Sequence, residues 1–145
     1  MKKKIRIGIA CDHAGFELKE YLKAVSRGII TDYGTYSDIS VDYADYVHPA
    51  CEALGKNVVD VLILICGSAN GVAMTANKHQ KVRAALCWNR ESASLARAHN
   101  DANVLCIPTR FVDHNLAYEI VNIFMETAFE GGRHFTRVEK IPVKN

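Results

Sequence analysis

The feature that most constrains this chain is an apolar run that ends in a cysteine and a glycine-bounded loop. Residues 61–65 read Val-Leu-Ile-Leu-Ile, with no polar alternation, which predicts a strand buried on both faces in the middle of a parallel sheet. Cys66 follows, and the chain turns through residues 67–71 into a predicted helix at 72–79. Cys66 is therefore expected at the carboxyl end of a central strand, the edge where open α/β sheets bind ligands.

The rest of the chain alternates strand and helix patterns with short connections. This alternation predicts one domain over residues 1–145, an α/β fold with a doubly wound five-stranded parallel sheet in a Rossmann-like three-layer αβα sandwich. In the first helix the apolar spacing places Lys19 on the exposed face. The predicted strands are 5–10, 29–33, 61–65, 82–88 and 104–107, and the predicted helices are 14–26, 44–55, 72–79, 92–98 and 113–128.

Composition excludes several classes of protein. The net charge is only +2, with Lys and Arg scattered along the chain, so a nucleic-acid partner is not expected. The basic start at residues 2–4 is followed by a strand-length apolar segment without a signal-peptide cleavage region, and no run is long enough to span a membrane. We therefore expect a soluble, cytoplasmic protein.

The five cysteines form an odd set without a C-x-x-C pair. This argues against a disulfide framework and against a zinc knuckle. Cys11, Cys87 and Cys106 lie in or beside apolar runs and are expected to be small buried hydrophobic residues. Cys66 differs because of the loop that follows it.

The loop after Cys66 is suited to an anion or to a developing oxyanion, because its backbone N–H groups and the helix start carry partial positive charge. Spacing excludes familiar alternatives. A cysteine phosphatase needs arginine where Val72 stands, and a P-loop needs Gly-Lys-Ser/Thr at its close. The first strand lacks G-x-G-x-x-G, and a resolving cysteine for thiol exchange is absent.

Other polar residues fall at two different edges of the predicted sheet. Asp12 and His13 follow the first strand and Arg110 follows the fifth, so they should lie at the same edge as Cys66. His99 and Asn100 precede the fifth strand and should lie near the opposite edge. A second subunit that supplies His99 would bring the two groups together.

The polar tail, residues 130–145, carries Arg133 and Arg137 four positions apart. If the tail is helical, both guanidinium groups lie on one face, where they could bind a phosphate or remain as solvated surface groups. The tail is expected to pack on a partner subunit.

Five motifs in order resemble type B ribose-5-phosphate isomerases, over nearly the whole chain. They are CDHAGF at 11–16, DY at 42–43, CGSANG at 66–71, AHNDANV at 98–104 and EGGRHFTR at 130–137. The resemblance implies an aldose–ketose isomerase that interconverts ribose 5-phosphate and ribulose 5-phosphate without a metal or cofactor. It also implies a homodimer, or a tetramer made of two such dimers, with active sites shared between subunits.

The resemblance also implies roles for individual residues. Cys66 would be the base that moves a proton between C1 and C2, with Ser68 assisting the loop that holds the enediolate oxygen. His99 would open the sugar ring as a general acid, supported by Asp12. The substrate-binding residues implied are His13, Tyr43, Gly67, Ser68, Ala69, Asn70, Gly71, Asn100, Arg110, Arg133 and Arg137.

Some positions depart from the family pattern. Ala69 stands where glycine is usual, which restricts the backbone at a point where a positive φ is needed. Some members carry a glutamate base where this chain has Val72, which leaves Cys66 as the base. Allose-6-phosphate and galactose-6-phosphate isomerases share much of the motif set, and a non-catalytic module that binds a phosphate or nucleotide is the alternative of a different class.

Overall fold

The structure, a computed structural model, describes residues 3–144. The residues before and after this range belong to the predicted domain and tail but lie outside the described part. Five parallel strands form one sheet in the order β2-β1-β3-β5-β4, which confirms the predicted fold class. The strands are β1 (Arg6–Cys11), β2 (Ile29–Asp32), β3 (Val61–Cys66), β4 (Ala84–Leu86) and β5 (Val104–Pro108).

Helices cover both faces of this sheet, and a 3-10 turn at His13–Gly15 follows β1. The helices are α1 (Phe16–Val25), α2 (Tyr43–Gly55), α3 (Asn70–Ala76), α4 (Arg90–Asn100), α5 (His114–Glu126) and α6 (Arg133–Glu139). Among the described residues, none of these helices combines the length and apolarity needed to cross a membrane.

The central strand β3 separates two hydrophobic cores. Ile63 and Ile65 pack in one core with residues of α1, α4 and α5, while Leu62 and Leu64 pack in the other with residues of α2 and α3. Side chains alternate between the faces of a strand, so burial on both faces requires the unbroken apolar run seen in the sequence. The predicted buried strand is confirmed.

The fourth strand is shorter than predicted and the helix after it is longer. Trp88 and Asn89 turn out of the sheet because their N–H groups donate to Ser92 Oγ, at 3.2 and 3.3 Å. The Asn89 side chain in turn accepts from the Ser92 N–H at 2.7 Å, which completes a capping box. This cap lets α4 begin two residues earlier than its alanine-rich stretch indicates.

Lys19 lies inside the protein, and its predicted exposure is wrong. The side chain is fully buried, and Nζ donates to both carboxylate oxygens of Asp32, at 2.8 and 2.7 Å, and to the Thr35 carbonyl at 2.6 Å. Because all three ammonium donors are satisfied, the charge can be buried. The contact fixes the start of the segment from Tyr33 to Asp42, whose far end forms a wall of the candidate site.

Candidate active site

A pocket of about 440 Å³ lies at the carboxyl edge of the sheet, where β1, β3 and β5 end. This pocket confirms the prediction that the loops after these three strands lie close together. Its lining residues are Asp12, His13, Ala14, Val41, Asp42, Tyr43, Cys66, Gly67, Ser68, Gly71 and Arg110.

Cys66 is the thiol of this pocket, and the backbone around it is held from the neighbouring strand. The Thr109 N–H donates to the Cys66 carbonyl at 3.0 Å, and the Arg110 N–H donates to the Gly67 carbonyl at 3.0 Å. The Cys66 residue is 5% exposed. The thiol is therefore screened from bulk water but reachable from the pocket.

The other four cysteines are isolated in the two cores. Burial raises the pKa of Cys11, Cys51 and Cys87 to about 12 and raises the pKa of Cys106 well above its ordinary value. These thiols remain protonated at neutral pH, so they cannot act as thiolate bases. The expectation that Cys11, Cys87 and Cys106 are packing residues is confirmed.

The loop after Cys66 offers several unused N–H donors. Within the part of the chain that the structure describes, the N–H groups of Gly67, Ser68, Ala69 and Gly71 donate to no hydrogen bond, while the Asn70 N–H lies 3.3 Å from Ser68 Oγ. Gly67, Ser68 and Gly71 line the pocket. Such donors can stabilise an oxygen that becomes negative during a reaction.

Ala69 adopts the left-handed conformation, with φ 64° and ψ −1°. The positive φ expected at this position is therefore confirmed, although the residue carries a methyl group. Ala69 is fully buried under the loop, and burial of the methyl group offsets part of the conformational cost of about 1–2 kcal/mol. Val72 is also fully buried, so its position supplies packing and no proton chemistry.

Asp12 and His13 are pinned beside the end of β3. The Asp12 N–H donates to the Ile65 carbonyl at 3.2 Å, and Asp12 Oδ1 accepts from the N–H groups of Ala14 and Gly15, at 3.0 and 3.2 Å. Asp12 thus caps the 3-10 turn. Within the described residues of one chain it shares no hydrogen bond with His99, so its predicted support of His99 requires a second chain.

His13 has a defined tautomer in this arrangement. The Val41 N–H donates to His13 Nδ1 at 3.2 Å. A ring nitrogen that accepts a hydrogen bond carries no proton, so the proton of the neutral ring is assigned to Nε2. His13 can therefore donate from Nε2 to an anion in the pocket.

Close contacts with glycines shape two pocket walls. A Cβ placed on Gly71 would lie 2.4 Å from Tyr43 Cζ, and one on Gly67 would lie 2.9 Å from Arg110 Nε. Tyr43 and Arg110 therefore lie directly over the loop backbone. Only glycine permits this approach.

Four predicted site residues lie elsewhere in the chain. His99 and Asn100 end α4, and Asn100 lines a separate pocket with the start of β4. The tail is helical, so Arg133 and Arg137 lie one turn apart on α6, and both are exposed. The expectation that His99 lies apart from the Cys66 loop within one chain is confirmed by this topology. Asn70 begins α3 beside the loop and is exposed.

Sequence reasoning missed a contact between the tail and α4. The rings of His99 and His134 are stacked, with centroids 4.2 Å apart and an interplanar angle of 12°. Glu130 Oε1 lies 3.8 Å from Nε2 of each ring. The spacing of Glu130 and His134 was visible in the sequence, but their packing against α4 was not.

Asp42 was missed as a pocket residue. Its carboxylate makes no cap hydrogen bond at the start of α2, and the residue lines the pocket beside Tyr43. Its position directly before the predicted Tyr43 was the available signal. The free carboxylate can accept hydrogen bonds from a hydroxylated ligand.

Comparison with known proteins agrees with this geometry. Residues 7–141 match the family model described as Ribose/Galactose Isomerase. The chain is 44% identical over 139 residues to ribose-5-phosphate isomerase B of Escherichia coli, an alignment that covers 94% of this chain and 93% of that protein.

Two solved structures extend the similarity to the backbone. A ribose 5-phosphate isomerase from Thermotoga maritima is 44% identical, with a TM-score of 0.93 over 95% of this chain and 97% of that one. Ribose-5-phosphate isomerase B from Mycoplasma genitalium, solved with bound ribulose-5-phosphate, is 43% identical, with a TM-score of 0.87 over 94% and 93%. The chain belongs to the ribose/galactose isomerase family.

Proposed function

We propose that this protein interconverts ribose 5-phosphate and ribulose 5-phosphate, with Cys66 as the base. The observation that carries the proposal is a cysteine that lines the pocket beside a loop of unused N–H donors. Removing a proton next to a carbonyl requires such a pair, since the anion formed is high in energy without donors aimed at its oxygen. The relatives named above support the substrate class.

In the proposed step the open-chain sugar lies with its carbonyl oxygen against the N–H groups of the loop. The Cys66 thiolate takes the proton from C2. The electron pair of the broken C2–H bond forms the C1–C2 double bond, and the electron pair of the carbonyl double bond moves onto its oxygen to give the enediolate. The proton on sulfur, or a solvent proton that has replaced it, is then delivered to C1 while a proton passes from the oxygen of C2 to that of C1. Ser68, which lines the pocket as part of this loop, would assist this exchange.

The substrate phosphate requires positive charge and N–H donors. His13 Nε2 and Arg110 border the pocket, and the exposed Arg133 and Arg137 of α6 present two more guanidinium groups. Guanidinium groups bind phosphate through paired N–H donors. We assign the phosphate to these four side chains, those of α6 coming from a second chain.

A homodimer with shared sites follows from the separation of the two half-sites. His99 would open the ring as a general acid, and Asn100 would bind sugar hydroxyls, from the partner of the chain that supplies Cys66. The tail that carries Arg133 and Arg137 would accordingly reach the partner's pocket. Two-fold symmetry then produces two identical composite sites.

The substrate is tested by assaying ribose 5-phosphate, allose 6-phosphate and galactose 6-phosphate side by side with the same preparation. The proposal expects the highest kcat/KM with ribose 5-phosphate. A clear preference for a six-carbon substrate would overturn the assignment of the pentose. Binding of all three sugars without turnover would favour a non-catalytic phosphate-binding module.

Sharing of the sites is tested by mixing Cys66→Ala and His99→Ala chains. A hybrid dimer then contains one site with both defects and one intact site, so an equal mixture should recover about a quarter of wild-type activity. Native mass spectrometry must confirm that subunits exchange. If hybrids form and activity stays at the level of the separate variants, each site is built from one chain.

A further inference from the structure

His99, Glu130 and His134 form a cluster of three potential metal ligands, referred to below as the His99 cluster. One ligand atom from each residue lies within 4.8 Å of the other two. Glu130 Oε1 is 3.8 Å from Nε2 of both histidines. It is the only such group of three among residues 3–144.

The backbone holds these side chains in place before any ligand arrives. The Glu130 N–H donates to the Ala98 carbonyl at 3.0 Å, which ties the tail to the end of α4 next to His99. The His134 N–H donates to the Gly131 carbonyl at 3.1 Å as α6 begins. The His134 side chain is 10% exposed and the His99 side chain is 38% exposed, so His134 is fixed while His99 can tilt.

The donor set suits a borderline divalent cation. Two imidazoles and one carboxylate, with further positions open to water, are ligands that Zn²⁺ accepts. Ligand atoms on a tetrahedral zinc lie about 3.3 Å apart, given bond lengths of about 2.0–2.1 Å. The two 3.8 Å separations from Glu130 therefore need only a small closure. The two histidine nitrogens, which lie within 4.8 Å of each other, must approach through a tilt of the exposed His99 ring out of its stack.

The charges beside the His99 cluster act in opposite directions on a bound cation. Arg133 lies one residue before His134 and opposes a positive ion, while the Glu130 carboxylate supplies a compensating negative charge.

We propose that the His99 cluster is an inhibitory binding site for Zn²⁺ and chemically similar divalent ions. The ion takes the lone pair of His99 Nε2, so this nitrogen can no longer carry the proton that a general acid must deliver. The inhibitory consequence rests on the proposed function, in which His99 opens the sugar ring. Binding of the ion does not depend on it, and the proposed reaction uses no metal in its steps.

Among residues 3–144, two other places could take zinc and serve as internal controls. His48 Nδ1 and His79 Nε2 lie 2.7 Å apart on an exposed surface, which offers two ligands instead of three. The Cys66 thiol is the other candidate, and zinc bound there would also inhibit.

Calorimetric titration with Zn²⁺ at pH 7.5 compares the wild type with Glu130→Gln, His134→Asn and His48→Asn. We expect the first two substitutions to weaken the tightest site by roughly 10- to 100-fold, as even the loss of a supporting ligand contact does in zinc proteins. His48→Asn should leave this site unchanged. Glu130 is 58% exposed in its side chain, so its isosteric replacement tests the site without disturbing the fold.

X-ray absorption at the zinc edge identifies the ligands directly. The proposal expects nitrogen and oxygen neighbours at about 2.0–2.1 Å with imidazole scattering, whereas zinc on Cys66 would show sulfur at about 2.3 Å. A sulfur neighbour at the tightest site, or wild-type affinity in both Glu130→Gln and His134→Asn, would overturn the proposal.

Activity measurements test the inhibitory role of zinc separately from its binding. Zinc should inhibit the wild type reversibly on addition of a chelator, and Glu130→Gln should need at least about tenfold more zinc for the same inhibition. Equal sensitivity of the two proteins would overturn the inhibitory role. If the wild type lacks isomerase activity, the proposed function fails, while calorimetry and absorption still decide whether the metal site exists.

Discussion

Replacing Gly71 with alanine should damage the active site while leaving the fold intact. The new Cβ would lie 2.4 Å from Tyr43 Cζ, 2.6 Å from Cε1 and 2.8 Å from Cε2, whereas ordinary contact begins at 3.4 Å. The ring must therefore retreat by about 1 Å. Tyr43 is 40% exposed, so it can move outward into solvent.

The expected effect on stability is much smaller than the expected effect on catalysis. The retreat of an exposed ring costs little, and alanine is favoured over glycine inside a helix by roughly 0.5–1 kcal/mol. The free energy of unfolding should therefore change by less than about 1 kcal/mol. A displacement of about 1 Å in a wall that positions substrate can reduce kcat/KM by about 100-fold, which is about 2.7 kcal/mol of transition-state stabilisation.

Gly15→Ala is the matched control. Its Cβ would lie 2.7 Å from both the Ile65 carbonyl oxygen and Cγ2 of the same residue, at a buried place where the backbone of β3 cannot move. Overpacking of this kind costs about 1–3 kcal/mol and lowers Tm by roughly 2–4 °C for each kcal/mol.

Thermal unfolding and steady-state kinetics with ribose 5-phosphate are measured on both variants. Gly71→Ala should keep its Tm and lose kcat/KM, while Gly15→Ala should lose Tm. The reasoning is refuted if Gly71→Ala retains full kcat/KM, or if it loses as much stability as Gly15→Ala.

Three further predictions concern stability, its pH dependence and thiol reactivity. Asp32→Asn should cost about 3–5 kcal/mol in urea unfolding, because the buried Lys19 charge then keeps only the partly exposed Glu20 carboxylate, 3.6 Å away, as its counter-ion. The double variant with Lys19→Met should be more stable than Asp32→Asn alone, and additive losses would contradict this. Burial alone would raise the pKa of Asp32, but hydrogen bonds from Lys19, Lys23 and the Gly34 N–H lower this pKa below its ordinary value. The contribution of the Asp32 carboxylate to the free energy of unfolding should therefore be complete above about pH 4 and should be lost as the pH falls further. Brief treatment of the native protein with iodoacetamide should modify Cys66 before the other four cysteines, because those are buried away from the pocket and have raised pKa values. Mass spectrometry of the digest locates the label. If any other cysteine is modified first, the assignment of Cys66 is contradicted.

The half of the site built on the sheet could be predicted because it depends on local pattern and topology alone. An unbroken apolar strand must be central, and the carboxyl ends of parallel strands must meet at one edge. The positions of Asp12, Cys66 and Arg110 followed from that rule before any side-chain contact was known. The positive φ of Ala69 was predicted from the resemblance instead, because family members usually carry glycine at this position.

The rest depends on tertiary contacts that leave little trace in local pattern. Lys19 has the spacing of an exposed residue, and only the approach of Asp32 and the Thr35 carbonyl makes its burial possible. The stacking of His134 on His99 depends on how the tail folds back onto α4. Periodicity gives the face of a helix but not its neighbour, so neither contact could be inferred.

The measurement that tests the central claim most directly is hydrogen exchange at the sugar in D₂O with wild type and Cys66→Ala. Wild type should introduce deuterium at C1 of ribulose 5-phosphate as it isomerises, because the proton on the base can exchange with solvent. Cys66→Ala should neither isomerise nor exchange, while calorimetry shows that it still binds ribose 5-phosphate with an affinity close to that of the wild type. Exchange by Cys66→Ala at the wild-type rate would contradict the assignment of Cys66 as the base.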